Sequence, residues 1–397
     1  MQLTKPELTP QLTQDLNQSS INPWSSGGAI LLAALALPGL VGIAHADSAP
    51  DQGEVDLKYL DYRDWQPGFD RISVDSPSVS LLAPIAGVWA LDSSFVSDSI
   101  SGATPRYHTA ISGASVMHDH REAEDVGLTR YFAQGSVNAG IAHSGEDDYQ
   151  SRAISLGGTL STESKNTTVN FGVGISNDVI NPVNQVVSDA KKHTLELKTG
   201  VTQIVTQNDI VQLDFSHVAE QGYLSDPYKD FDNRPDERTE NIVLFRWNHH
   251  LDSTDGTSRF SYRYYTDTYQ IRAHTFTLDY MQPLPQGWTL TPSARLYTQT
   301  AASFYFNPLY STVLGPPVPA GYSFASNAYI SEDYRLSAFG ALTLGLKLGK
   351  QVTRDWRIDV QVAQYEQRGD WAFFGNGSPG LAPFSARIIQ VGLSKQF

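Results

Sequence analysis

Long stretches of strict two-residue alternation constrain this chain more than any other feature. Leu342, Leu344, Leu346 and Leu348 alternate with Thr343, Gly345, Lys347 and Gly349. Trp356, Ile358, Val360 and Val362 alternate with Arg357, Asp359 and Gln361. Val169–Ile175 and Val211–Phe215 repeat the pattern, with Asn170, Gly172, Gly174, Gln212 and Asp214 between the apolar residues. Successive strand side chains point to opposite faces, so each stretch is a strand with one dry and one wet face. Soluble strands average about five or six residues. Many of these run longer, as strands tilted across a bilayer must. The expected fold is therefore all-β: a transmembrane, antiparallel, up-and-down β-barrel.

The connections sort by length. Pro84–Gly87, Ala133–Gly135, Glu163–Asn166, Gln207–Asp209, Ser253–Gly256, Pro285–Gly287 and Lys350–Arg354 are short. Ser99–His120, Asn181–Lys191, Gly222–Arg238, Asn307–Asp333 and Gly369–Phe384 are long. Short and long alternate, except at three tight connections near Trp65–Phe69, Glu146–Asp148 and Gln270–Arg272. Outer-membrane barrels have short periplasmic turns, long outer loops and an even strand number, which gives a tally of about sixteen, within roughly 14–18. Tyr322–Tyr334 is a candidate additional hairpin.

The last stretch, Arg387–Phe397, alternates Ile389, Val391, Leu393 and Lys395 with Gln390, Gly392, Ser394 and Gln396. It resembles the terminal recognition strand of bacterial outer-membrane barrels, with Phe397 as the assembly signal. Parity places Leu393 towards lipid and Gln390 towards the lumen. Lys395 then marks the periplasmic edge of the apolar band.

At the other end, Ala29–Ile43 is apolar but too short to span as a helix, and Pro38-Gly39 breaks it. Ala44 and Ala46 give a small-x-small cleavage pattern. Residues 1–46 are expected to be a signal peptide with a long polar leading region, and 47–397 the barrel, with Asp47 as the mature start. The chain has 397 residues, no cysteine and a formal net charge of −14. The missing thiols exclude disulfides, thiolate chemistry and cysteine zinc sites. The acidic balance argues against nucleic acid as a partner. Aromatics make up 11%, including 19 Tyr and 7 Trp. Tyr59, Tyr62, Trp65, Tyr131, Phe132, Tyr262, Tyr264, Tyr265, Tyr269, Trp288, Phe304–Phe306 and Trp356 fall near strand ends, as interfacial girdles would.

Four short motifs stand out: Ser101-Gly102-Ala103-Thr104-Pro105, Lys165-Asn166-Thr167-Thr168, Ser225-Asp226-Pro227-Tyr228-Lys229 and Ser331–Arg335. The first reads as a turn, with Gly102 free to take positive φ and Pro105 holding Thr104 extended. Taken together they resemble the bacterial DUF3570 family over about Glu54–Phe397. The resemblance implies an outer-membrane β-barrel with no established activity or catalytic residues. It also implies an envelope setting shared with periplasmic flavin-linked redox chemistry and a small lipoprotein.

Sites of chemistry are few. His118 and His120 share a strand face and with Glu122, or Glu124, form the best metal candidate. His249 and His250 point apart and make a poor pair. Glu146–Asp148 and Asp230–Glu237 lack the spaced acid-and-glycine pattern of a calcium loop and read as solvated acidic loops. Ser216–His217 and His143–Ser144 are adjacent strand residues that face apart, so neither is a hydrolase dyad. No cofactor is expected. The wet-face charges Glu196, Lys198, Asp214, Arg246, Arg295, Arg357 and Asp359 are expected to line the lumen, where both signs either border water or pair to close it. The expected function is an outer-membrane channel or transport component. The alternative is a non-conducting scaffold for a periplasmic redox or lipoprotein partner. Expected partners are outer-membrane lipid and lipopolysaccharide, the barrel-assembly machinery through the C-terminal strand, and a periplasmic lipoprotein.

Overall fold

The computed structural model describes residues 48–104, 115–229, 231–306 and 328–397. The expected signal peptide, residues 1–46, lies outside them, as does Asp47. Eighteen strands follow one another: β1 (Glu54–Gln66), β2 (Phe69–Ile85), β3 (Trp89–Thr104), β4 (Ser115–Phe132), β5 (Gly135–Gly145), β6 (Tyr149–Ser161), β7 (Thr167–Ile180), β8 (Ala190–Ile204) and β9 (Asp209–Gly222). Then come β10 (Asp232–Asn233), β11 (Glu237–Leu251), β12 (Gly256–Asp267), β13 (Arg272–Leu284), β14 (Trp288–Gln299), β15 (Ile330–Ser331), β16 (Phe339–Gln351), β17 (Trp356–Arg368) and β18 (Phe384–Gln396). All but β10 and β15 close into one antiparallel barrel of sixteen strands. Apart from the closing pair, each barrel strand is bonded to its neighbours in the chain. Closure leaves no open edge, so every ladder hydrogen bond is made inside the sheet, as lipid requires.

The ring closes where β18 meets β1, with Leu57 opposite Leu393 and Tyr59 opposite Val391. Gly53 and Phe397 exchange two backbone hydrogen bonds of 2.9 Å beyond the last ladder pair. The Phe397 ring lies against Gly53, where a Cβ would stand 2.5 Å from the ring. Glycine at 53 therefore lets the terminal ring seat on the seam.

Parity sets which face meets lipid. Leu57, Phe95, Ile141, Ile154, Leu160, Phe171, Leu213, Leu344, Leu346 and Val362 are exposed on the outer face. Trp89, Trp288 and Trp356 each open a strand directly after a short turn. Each has an outward cation over its ring: Arg130 at 4.8 Å, Lys350 at 4.9 Å and Lys395 at 5.3 Å. Three such pairs on one rim make an interfacial girdle, and long cationic side chains there reach the headgroups. Other aromatics expected in a girdle face inward instead. Tyr62, Tyr131 and Tyr265 are buried on the inner parity, and Tyr269 is buried in a connection. Strand position alone cannot separate these two uses of tyrosine.

Both chain ends of the barrel lie at the short-turn rim, which is the periplasmic side by the general rule for such barrels. The three tight connections all fall on the opposite, outer rim, between β1 and β2, β5 and β6, and β12 and β13. The Ser101–Pro105 turn is overturned. Asp98–Thr104 continues β3, and Gly102 pairs with Met117 and Thr104 with Ser115 on β4. Gly102 is not among the positive-φ glycines. The hairpin simply extends beyond the apolar band; Pro105 lies outside the described residues. The expected Tyr322–Tyr334 hairpin is reduced, among the described residues, to β15, which pairs with β10.

Candidate functional site: a charged lumen narrowed by an inward loop

The wet faces of the sixteen strands meet in the lumen. Glu196 and Lys198 alternate with exposed Leu195 and Leu197 on β8, and Asp214 with Leu213 and Phe215 on β9. Arg246 lies between Phe245 and Trp247 on β11, Arg295 precedes Leu296 on β14, and Arg357 and Asp359 alternate with Ile358 and Val360 on β17. All seven stand on the inner parity.

They form separate groups. Asp214 accepts from Asn170 Nδ2 at 3.2 Å and Gln212 Nε2 at 3.1 Å, and Arg246 Nη1 lies 3.6 Å from its second oxygen. A Cβ on neighbouring Gly200 would stand 2.2 Å from Asp214 Oδ1, so only glycine leaves room for this carboxylate. Near the short-turn rim, Lys347 pairs with Asp359 at 3.5 Å and Arg357 with Glu54 at 3.9 Å. Ser394 donates to Asp56, which carries this network across the β18–β1 seam. Arg295 belongs to neither group. No carboxylate of the described residues stands within 4.0 Å of it, and its guanidinium lies 6.0 Å from the Tyr297 ring.

Sequence reading missed further inward charges that lack an opposite partner within 4.0 Å among the described residues, including Asp279 on β13. Arg263 on β12 lies over the Tyr265 ring at 5.3 Å. Asp92 on β3 and Asp125 on β4 face the lumen, where Ser94 donates to Asp125. The parity rule would have found these, since each alternates with outward apolar residues. In the ring, β13 is eight strands from β4 in either direction. Asp92 and Asp125 therefore stand on one wall and Arg263 and Arg295 on the wall opposite, where Asp279 on β13 lies between the two arginine strands. Arg263, Arg295 and Asp125 each stand seven residues in from the short-turn end of their strands, at Gly256, Trp288 and Phe132.

The outer part of the lumen is narrowed by the connection between β14 and β16. Its described parts, 300–306 and 328–338, fold inward. Ala302 and Leu336 pack with Tyr265, Tyr269 and Ala273. Gln299 Nε2 donates to the carbonyls of Arg335 and Ser337 at 2.8 and 2.7 Å. Tyr334 reaches the far side of the seam, where it stacks on Phe384 at 6.3 Å beneath the Arg71 guanidinium. Behind it, Tyr62, Val74, Tyr365, Phe384 and Ile388 form an apolar cluster on the inner wall.

A buried ion cluster fastens this connection to the one between β9 and β11. Arg234 binds Asp232 through Nε and Nη2, both at 2.7 Å, and binds Asp333 at 2.7 Å. Arg335 binds Asp333 at 2.7 Å and Asp226 at 2.5 Å. Ser331 Oγ donates to Asp232 at 2.9 Å and accepts from the Asp333 backbone at 3.0 Å. Asp333 is fully buried. Burial works to raise its carboxyl, but the Arg335 and Arg234 guanidiniums outweigh it and hold the group well below the usual carboxylate range. Two of the four motif stretches, Ser225–Lys229 and Ser331–Arg335, thus form one clamp over the lumen. A third, Lys165–Thr168, sits at a short turn where Lys165 takes φ 56° and Asn166 O accepts from Ile204.

The metal candidate lies only partly within the described residues. The side chain of His118 lies outside the described residues. His120 Nε2 is 3.6 Å from Glu122, and both are exposed on the outer face of β4. Among the described residues no group of three His, Asp or Glu could hold an ion. Of the acidic stretches, Asp148 accepts from Tyr228 Oη and Asp232 is taken by Arg234. His217 meets Asn241 at 2.9 Å, His143 faces Glu124 at 3.9 Å, and His249 faces Asp209 at 2.8 Å.

The profile of the DUF3570 family, described as proteins of unknown function, matches residues 27–116 and 110–388. The chain belongs to the DUF3570 family. The match begins before Glu54 and stops short of the last residues, where the sequence resemblance had been placed up to Phe397. No curated protein matches this DUF3570 chain in sequence. Among solved structures it is similar to a bacterial polysaccharide outer-membrane secretin, at TM-score 0.52 and 8% identity, over 87% of this chain and 98% of that one. A siderophore receptor, PirA of Pseudomonas aeruginosa, aligns at TM-score 0.44 and 9% identity, over 88% and 80%. OccK2 of the same organism aligns at 0.42 and 10%, over 87% and 98%. Identities this low speak to fold alone. The closed sixteen-strand barrel is an outer-membrane barrel.

Proposed function

We propose that this DUF3570 barrel is a channel or transport component for small charged solutes, with a lumen narrowed from outside by the clamped connection between β14 and β16. The carrying observation is a lumen lined by charges of both signs that the protein does not pair off, among them Asp92 and Asp125 on one wall and Arg263, Asp279 and Arg295 on the other. A barrel closed by its own ion pairs would be expected to pair these charges. Charges on opposite walls set a transverse field on a solute passing between them and select by charge arrangement. Polar atoms on the inner wall without a protein partner, such as Ser155 Oγ and Thr275 Oγ1, support a hydrated lumen. Passage would be passive. Outer-membrane lipid and lipopolysaccharide bathe the girdles, and the Phe397-ended strand is the handle for assembly. Planar-bilayer recording of the purified protein is the test: steady current supports the reading, and a folded barrel that never conducts removes it. In that event the scaffold for a periplasmic lipoprotein or redox partner becomes the better reading.

A further inference from the structure

We propose that the inner wall at Arg263, Thr275, Thr277 and Arg295 is a binding site for a small oxyanion, a carboxylate or phosphate group carried by a solute in the lumen. Arg263 lies opposite Thr275, which lies opposite Tyr297; Thr277 lies opposite Arg295. The four residues therefore occupy one patch on three adjacent strands, all on the inner parity. Two guanidiniums in that patch face no carboxylate of the described residues within 4.0 Å, and each keeps only an aromatic contact, to Tyr265 or Tyr297. Several other lumen cations are matched: Arg121 binds Asp98, Arg246 faces Asp214, and Lys347 binds Asp359. Two half-buried guanidiniums left together without a paired carboxylate mark a place where the counter-charge comes from outside the chain; Asp279 on the same wall lies opposite Arg259 in register.

Thr275 adds an independent sign. It is 6% exposed, yet its hydroxyl has no hydrogen-bond partner among the described residues. A buried hydroxyl of this kind costs free energy unless something satisfies it. An oxyanion held by the two arginine forks would accept from the Thr275 hydroxyl as well. Arg263 and Arg295 are both partly accessible, so the patch opens onto the lumen. The guanidinium fork matches the paired oxygens of carboxylate and phosphate alike. This deepens the channel reading by naming the solute class, and it rests on that reading only for how the solute arrives.

Binding and conduction are measured separately. The purified, folded barrel in detergent is titrated calorimetrically with inorganic phosphate and with gluconate. At least one is expected to bind at a single site, and which one binds tells a tetrahedral from a planar oxyanion preference. Arg263→Gln/Arg295→Gln is expected to weaken binding at least about tenfold, the loss of one charge-assisted hydrogen bond or more. Thr275→Val keeps the shape and is expected to weaken binding less. Arg→Lys at both positions keeps the charge and is expected to bind between wild type and the Gln pair. Wild type that binds neither probe, or a Gln pair that binds as wild type does, overturns the site. Bilayer current without binding leaves the channel reading standing and this site refuted; binding without current does the reverse.

Discussion

Asp333 is the residue on which the outer closure turns. It is buried between two arginines, and removing either partner leaves an uncompensated charge, at a cost of roughly 3–5 kcal/mol. Arg234→Met and Asp333→Asn are therefore expected to free the connection between β14 and β16. Limited proteolysis should cut it much faster in both variants, with the barrel itself intact. The folded carboxyl is depressed, so its contribution is complete above the unfolded pKa, roughly 4, and is lost only as pH falls towards the lower folded value. Wild-type protection through Asp333 should thus persist from pH 8 to 5. Asp232 shifts the other way, raised first by burial, and is the member that takes a proton first on acidification. Loss of protection between pH 8 and 5 that Asp232→Asn does not abolish would contradict this assignment. Two stretches of the clamp stood out in the sequence as motifs, but their pairing was not legible. Arg234 and Asp333 are 99 positions apart, and no local pattern brings two loops together. Inward strand charges were legible wherever parity was followed, as at Glu196 and Asp214. Arg263 is harder to read because it sits among Tyr262, Tyr264 and Tyr265, whose clustering has the pattern of a girdle.

At the scale of strands, period-two alternation carried nearly everything. Leu393 lies on the outer parity of β18 and Gln390 on the inner, and Leu57 opposite Leu393 completes the seam. Leu346→Arg on the lipid face of β16 is expected to cost about 2–4 kcal/mol near the midplane in a refolding titration into lipid vesicles. Lys347→Met, one residue on and facing the lumen, should cost less. Equal costs would mean that the two faces are assigned wrongly. Deleting Phe397 removes its backbone exchange with Gly53 and is expected to lower the yield of folded protein in outer-membrane fractions. Strand ends were read less well. The Ser101–Thr104 motif looked like a turn because Gly and Pro punctuate it, but pairing with β4 keeps the chain extended beyond the bilayer. Local turn signals lose to a partner strand already in register.

The whole molecule is a barrel with two unlike halves of lumen. The acidic wall at β3 and β4 bears Ser94, and Ser144 follows on the adjoining β5. The wall from β12 round to β2 is arginine- and tyrosine-bearing and is partly covered by the inward connection. Neutralising the acidic wall with Asp92→Asn/Asp125→Asn is expected to shift the reversal potential in a potassium chloride gradient towards anion selectivity. Neutralising the Arg263 and Arg295 wall should shift it the other way. The central claim is that the space between these walls conducts, and single-channel recording in planar bilayers tests it most directly. Wild type should give steady current, larger in Arg234→Met, whose clamp is released. No steady current from folded barrels of either form would contradict the account.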